Sequence, residues 1–261
     1  MYTIDKYIMA ESLEQAKELL KKSSGNRIIA GSTWLRMSNA RIANAVDLSG
    51  LHMDKVEQNG REIRIGAMAA LRTVETSPVL KNAFGGVLSE CVKPIVGVQF
   101  RNVATIGAGV YNCYAFSDPV CALLALDAEV ELCFAGRMKL SEYIKVRRTP
   151  KNRDILCYIY LNDDGTKAAW QSFRHTETDF PILNACLAED PAGAYRLAIG
   201  ARPDRAVRCE KAEACLNAGD LEAAKKALSE IGFGSNMTAS AEYRAEIAKV
   251  LLERAFTEVS K

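Results

Sequence analysis

The sequence predicts an α+β chain in which two small units that mix strands and helices are followed by a run of strands and then a run of helices. Three observations carry that prediction. Near the N-terminus a capped amphipathic helix precedes a short apolar strand, and an Asn59-Gly60 turn opens a second unit. From residue 153 onward, strand-like segments at short spacing lead into three helical stretches.

Taken in order, Ser12 precedes "LEQAKELLKK", with Gln15 three residues on as in a capping box and Leu13, Ala16, Leu19 and Leu20 on one face. Gly25 stops that helix. "RIIAGSTWL" then gives a strand over Ile28 to Ala30 that breaks at Gly31-Ser32-Thr33, and "NAVDLSGL" gives a second strand, so residues 1–57 form a small β-α-β unit. The second unit starts near residue 58 and alternates through Ile63 and Ile65. Two helical segments follow, the first interrupted at Pro78. "TIGAGV" is expected to be a strand that ends in small residues, and a helix is expected from about Pro119 to Leu126 with Asp118 as its cap. The later segments "DILCYIYL", "AAWQSFR", "PILNACLA" and "YRLAIGA" are expected to pair antiparallel, and the helices "CEKAEACLNAG", "LEAAKKALSEI" and "SAEYRAEIAKVLLERAFTEV" close the chain.

With 261 residues, 49% hydrophobic and 25% charged, the chain can build real cores. A net charge of +2 without a Lys/Arg block points away from nucleic acid and membrane surfaces. The longest apolar stretches are broken by Asp127, Glu129 and Glu131, well short of the ~20 residues a membrane span needs. The start "MYTIDKYIMAES" lacks the basic and apolar regions of a secretory signal, so a cytoplasmic location is expected. The eight cysteines form no C-x-x-C pair and His52 and His175 have no Cys within four residues, which argues against a protein-built zinc or iron–sulfur site.

Two stretches of small residues stand out, Gly31-Ser32-Thr33 and Gly107-Ala108-Gly109. Small side chains leave main-chain N–H groups unshielded, and several aimed at one point suit pyrophosphate oxygens. Each stretch alone reads equally well as a plain turn. The third glycine of a G-x-G-x-x-G fingerprint is absent, which argues against an ordinary Rossmann NAD site.

In combination the stretches resemble a known family. "IIAGSTWL" resembles its "(L/V)xAGGT(D/N)L" segment, and "RNVATIGAGVYNCYAFSDPVCALLALDAEVEL" resembles "RNxATIGGNxxxASPxxDxxPxLxALDAxV". The family is the FAD-binding subunit of molybdenum hydroxylases, which includes xanthine dehydrogenase and carbon monoxide dehydrogenase. The resemblance covers nearly the whole chain. It implies a two-lobed FAD-binding fold of the vanillyl-alcohol oxidase and MurB type over residues 1–57 and 58–165, and a C-terminal antiparallel sheet-and-helix domain over 166–261.

It further implies that Ile28, Ile29, Ala30, Gly31, Ser32, Thr33, Trp34 and Leu35 wrap the FAD diphosphate, with Gly31, Ser32 and Thr33 giving most backbone contacts. Thr105, Gly107, Ala108 and Gly109 would form the opposite wall, and Asp118 would contact the cofactor. Ile95 and Leu156 would lie by the flavin ring and Arg174 near its polar edge. Read without the resemblance, Asp118 is a helix cap and Arg174 a solvated strand cation. Among the departures from the pattern, Ser32 replaces a glycine, Trp34 an acidic or amide residue, Ala108 a glycine by only a methyl group, and Gly109 an asparagine. Either FAD binding is weakened or Asn112 restores the lost contact.

As a member of this family the chain is expected to be an electron-transfer oxidoreductase subunit. It would receive electrons from an iron–sulfur subunit beside a molybdopterin-binding subunit and pass them through FAD to an acceptor such as NAD. Two readings compete: a stand-alone MurB-like flavin reductase, and an assembly subunit that has lost FAD.

Overall fold

The computed structural model describes residues 2–146, 149 and 152–261. Strand β1 (Thr3–Met9), helix α1 (Leu13–Lys22), β2 (Arg27–Ile29) and β3 (Arg41–Asp47) make a parallel three-stranded sheet in the order β1-β3-β2. Ser12 caps α1 through the Gln15 N–H, and the Gln15 side chain accepts from the Glu11 N–H. Strand β1 was not anticipated, because it is an exposed edge strand without apolar alternation.

Next, β4 (Val56–Asn59) and β5 (Glu62–Gly66) meet in a hairpin at Gly60, whose φ of 58° lies in the left-handed region. Six short helices follow: α2 (Leu71–Thr76), α3 (Pro78–Asn82), α4 (Val87–Val92), α5 (Val98–Arg101), α6 (Ile106–Asn112) and α7 (Asp118–Ala125). After them come β6 (Glu129–Leu132), β7 (Gly136–Lys139), α8 (Leu140–Tyr143) and β8 (Leu156–Asn162). The five strands form an antiparallel sheet in the order β4-β5-β8-β6-β7. Thus β8, expected to pair with the strands after it, is instead the centre of the sheet before it, bonded to β5 and β6.

The C-terminal part has β9 (Lys167–Phe173), β10 (Leu183–Glu189), β11 (Tyr195–Gly200) and β12 (Val207–Arg208) in the antiparallel order β12-β11-β10-β9. Side-chain alternation gives this sheet two buried faces. Leu183, Leu187, Leu197 and Ile199 pack on the core shared with α9 (Glu210–Asn217), α10 (Leu221–Ala227) and α11 (Ala241–Val259). The small residues Cys186, Ala188 and Ala198 face the core of the middle sheet. Helix α7 fills the space between and is buried at all eight positions, which is why "DPVCALLA" shows no polar stripe.

The first sheet is joined to the second by Ala16, Leu20, Val46, Leu48 and Met53 against Ile155 and Cys157. Arg153 reinforces that joint by donating to the carbonyl of Leu20 in the last turn of α1 and to those of Ser23, Ser24 and Asn26 beyond it. No cysteine is in a disulfide. Among the described residues no helix is long and apolar enough to cross a membrane.

Candidate functional site

At the end of β2 the chain makes a turn that only small residues permit. A Cβ on Gly31 would fall 1.9 Å from the Val103 carbonyl oxygen, so the first unit here lies directly against the backbone of the second. Ser32 follows with φ 54°, and its hydroxyl donates to the Ala30 carbonyl at 3.1 Å. The Arg36 N–H then reaches the Ser32 carbonyl at 3.0 Å, and a short 3₁₀ turn over Leu35–Met37 follows, the Met37 N–H donating to the Trp34 carbonyl at 3.1 Å. The N–H groups of Gly31, Ser32, Thr33, Trp34 and Leu35 donate to no other described residue. Five consecutive donors without a partner among the described residues are open to an anion, and no carboxylate lies in the segment from Ala30 to Arg36. Ile28 and Ile29 lie in the strand, half-buried, leading into it.

The second small-residue stretch differs from expectation. "TIGAGV" is not a strand end: Thr105 caps α6 and Gly107 lies in its first turn. The Ile106 and Gly107 N–H groups donate to the Ala69 and Ala67 carbonyls at 2.9 and 3.0 Å, and the Ala108 N–H donates to the Thr105 hydroxyl at 3.4 Å. These donors are occupied within the protein. A Cβ on Gly107 would lie 2.3 Å from the Ala67 carbonyl oxygen, so the first turn of α6 packs directly on that backbone. At Gly109 a Cβ would meet nothing closer than the Ser117 hydroxyl at 3.5 Å. Asn112 is exposed, and its amide donates back to the Ala108 carbonyl at 2.8 Å.

Asp118 is not the cap of α7. Ser117 takes that role by accepting from the Val120 N–H. Asp118, 2% exposed, instead accepts from Arg174 at 2.5 Å and from the Asn184 amide at 2.7 Å. Burial pushes its carboxyl up from the ordinary range, against the pull of the Arg174 guanidinium and the Asn184 amide. Arg174 is accordingly no solvated cation: it also bonds Ser172 and the Asp179 carbonyl, and its guanidinium lies 5.7 Å from the Trp170 ring. Leu156 is buried in the central strand, and Ile95 is half-buried with its carbonyl accepting from Arg101 at 3.0 Å.

Sequence reasoning missed the partners that hold these segments. Val103, Asn184 and the Glu75–Arg101 ion pair carry no local pattern that reveals them. It also missed that the Trp34 ring meets Tyr114, Phe116 and Phe180, although the aromatic pair in "NCYAF" is visible in the chain. A separate cleft of about 330 Å³ is lined by Glu62, Glu129, Arg137, Lys139, Tyr160 and Arg196 among others. Arg137 and Lys139 there are paired with acids, and no residue of the turn contributes to it.

Residues 2–161 match a family described as the FAD binding domain in molybdopterin dehydrogenase, and residues 168–259 match the carbon monoxide dehydrogenase flavoprotein C-terminal domain. The glyceraldehyde dehydrogenase medium chain of Sulfolobus acidocaldarius is 26% identical, the alignment covering 97% of this chain and 98% of that one. Subunit alpha of the 6-hydroxypseudooxynicotine dehydrogenase complex of Paenarthrobacter nicotinovorans is 26% identical over 95% of this chain and 92% of its own. Among solved structures, the carbon monoxide dehydrogenase of Hydrogenophaga pseudoflava shares the fold with a TM-score of 0.85 at 20% identity, covering 98% of this chain and 96% of that one.

Proposed function

The chain belongs to the family of FAD-binding domains of molybdopterin dehydrogenases and is an FAD-dependent oxidoreductase subunit; on that premise we propose that it works as the electron outlet of a larger complex. In this reading it receives electrons from an iron–sulfur subunit, a molybdopterin subunit oxidises the organic substrate, and a separate acceptor such as NAD collects the electrons. The division at residues 57/58 and 165/166 into two cofactor-binding lobes and a C-terminal domain belongs to the same reading.

The observation that carries it is the row of free N–H groups from Gly31 to Leu35 at the meeting of the two lobes. Those residues fit a diphosphate: five unshared donors, a bare Gly31, no carboxylate in the turn and a cation at Arg36. Bound there, FAD supplies a store for two electrons that is filled singly and emptied as a pair.

The chain's own residues then have distinct tasks. Gly31, Ser32, Thr33, Trp34 and Leu35 hold the diphosphate through the main chain. Thr105, Gly107 and Ala108 act behind them: their bonds within the second lobe keep its edge rigid where Val103 backs Gly31. Asp118, Arg174 and Asn184 join the second lobe to the C-terminal domain.

The test is anaerobic mixing with a purine, an aromatic heterocycle or carbon monoxide. The isolated flavin-loaded chain should keep its yellow colour, and the complex reconstituted with iron–sulfur and molybdenum subunits should bleach. Rapid bleaching of the isolated chain would instead make it a self-contained flavoenzyme.

A further inference from the structure

We infer that Trp34, with Tyr114, Phe116 and Phe180, is a stacking platform for one of the two flat ring systems of FAD, beside the diphosphate turn. This rests on the reading that the turn holds FAD. Four rings from three parts of the fold converge here. Trp34 belongs to the first lobe's turn, Tyr114 and Phe116 to the loop between α6 and α7, and Phe180 to the loop between β9 and β10. The Trp34 ring centroid is 5.7 Å from Tyr114, 5.5 Å from Phe116 and 6.1 Å from Phe180. Tyr114 and Phe116 stack with planes 7° apart, and Phe116 meets Phe180 at 4.4 Å.

Ordinary core packing does not account for this cluster, since Trp34 is 40% and Phe180 56% exposed. Large rings gathered at a surface and left uncovered mark a place where something apolar is received. The Trp34 main chain supplies one of the free N–H groups, so its ring is fixed next to the anion nest. Two of the rings also stand at polar positions of the family pattern. Trp34 replaces the acidic or amide residue, Tyr114 replaces the serine of the ASP segment, and the two replacements touch each other. Exchanging hydrogen-bonding groups for adjoining flat faces favours a flat aromatic guest over a polar one.

The planes of Trp34 and Phe180 are 18° apart. The two rings thus present nearly parallel faces, and Phe180 stands exposed on its loop beside Trp34.

The experiment is calorimetric titration of the flavin-free full chain with FAD, FMN and ADP, for the wild type, Trp34→Phe and Trp34→Leu. Trp34→Leu should bind FAD about three- to tenfold more weakly, and Trp34→Phe within about twofold of wild type. The same loss should recur with FMN if the platform takes the isoalloxazine, or with ADP if it takes the adenine. In a Trp170→Phe chain, where Trp34 is the remaining tryptophan, its indole N–H resonance should move upfield on saturation with FAD. That readout needs no change at Trp34. The platform is overturned if Trp34→Leu binds FAD as the wild type does, if Trp34→Phe loses as much as Trp34→Leu, if neither half-molecule shows the loss, or if the indole signal stays still. A wild-type chain that binds no FAD at all refutes the reading beneath it as well, whereas normal FAD binding indifferent to Trp34 refutes the platform alone.

Discussion

Ser32 holds a backbone conformation that its side chain resists. At φ 54° an L-residue carries a penalty of about 1–2 kcal/mol, partly offset by the hydroxyl bond to the Ala30 carbonyl, worth about 1 kcal/mol. A glycine there, as in the family pattern, should stabilise the chain by about 0.5 kcal/mol. Denaturant unfolding of Ser32→Gly checks this, and a loss of stability would mean that the hydroxyl bond outweighs the strain. The neighbouring glycines are not equivalent. Gly31→Ala forces a methyl into the Val103 carbonyl, which as backbone cannot swing aside, so a cost of about 2–3 kcal/mol is expected. Gly109→Asn meets ordinary van der Waals space and should change stability by less than about 0.5 kcal/mol in the same assay. The sequence marked Gly31 as a match to the family pattern and Ser32 and Gly109 as departures, but not what each position costs. What separates them is the distance to a backbone remote in the chain or, at Ser32, a dihedral angle.

The loop that backs Gly31 is held by an ion pair between elements. Arg101 of α5 donates to Glu75 of α2 at 2.7 Å and to the Ile95 carbonyl at 3.0 Å, while Arg72 donates to the same carboxylate at 2.6 Å. Burial opposes the ionisation of Glu75, but Arg101 and Arg72 outweigh it and hold the carboxyl below its ordinary value of 4.5. A lowered folded value means stability that is present above about pH 4.5 and lost as the pH falls through that folded value. Glu75→Gln should therefore cost about 3 kcal/mol at neutral pH by stranding Arg101, and should flatten the acid limb of melting temperature against pH. An unchanged acid limb would remove Glu75 from the account. Helices α1 and α7 were legible because Ser12-x-x-Gln15 and Asp118-Pro119 are local signals, even though the cap of α7 proved to be Ser117. Helix α6 was not, because Gly107-Ala108-Gly109 has poor helix propensity and is held by its Thr105 cap and by bonds to Ala67 and Ala69.

On the scale of the molecule, three sheets are joined by few but specific devices. The α7 wedge and the Asp118–Arg174–Asn184 cluster join the middle and C-terminal sheets, and Arg153 with the Ile155–Cys157 core joins the first to the middle. The α+β class and the two-lobed plan with its C-terminal sheet were readable from element order and from the resemblance. The place of β8 was not, since its partners β5 and β6 are chosen by long-range register rather than by neighbouring turns. The main chain of Gly31 to Leu35 is proposed to hold the FAD diphosphate. Amide ¹H–¹⁵N spectra of the full chain titrated with FAD test it directly. The signals of Gly31, Ser32, Thr33, Trp34 and Leu35 should move downfield together, while those of Ile106 and Gly107, already bonded to Ala69 and Ala67, stay nearly still. Unmoved signals from Gly31 to Leu35 in FAD-saturated protein, or the largest shifts around Glu62, Arg137 and Arg196, would contradict it.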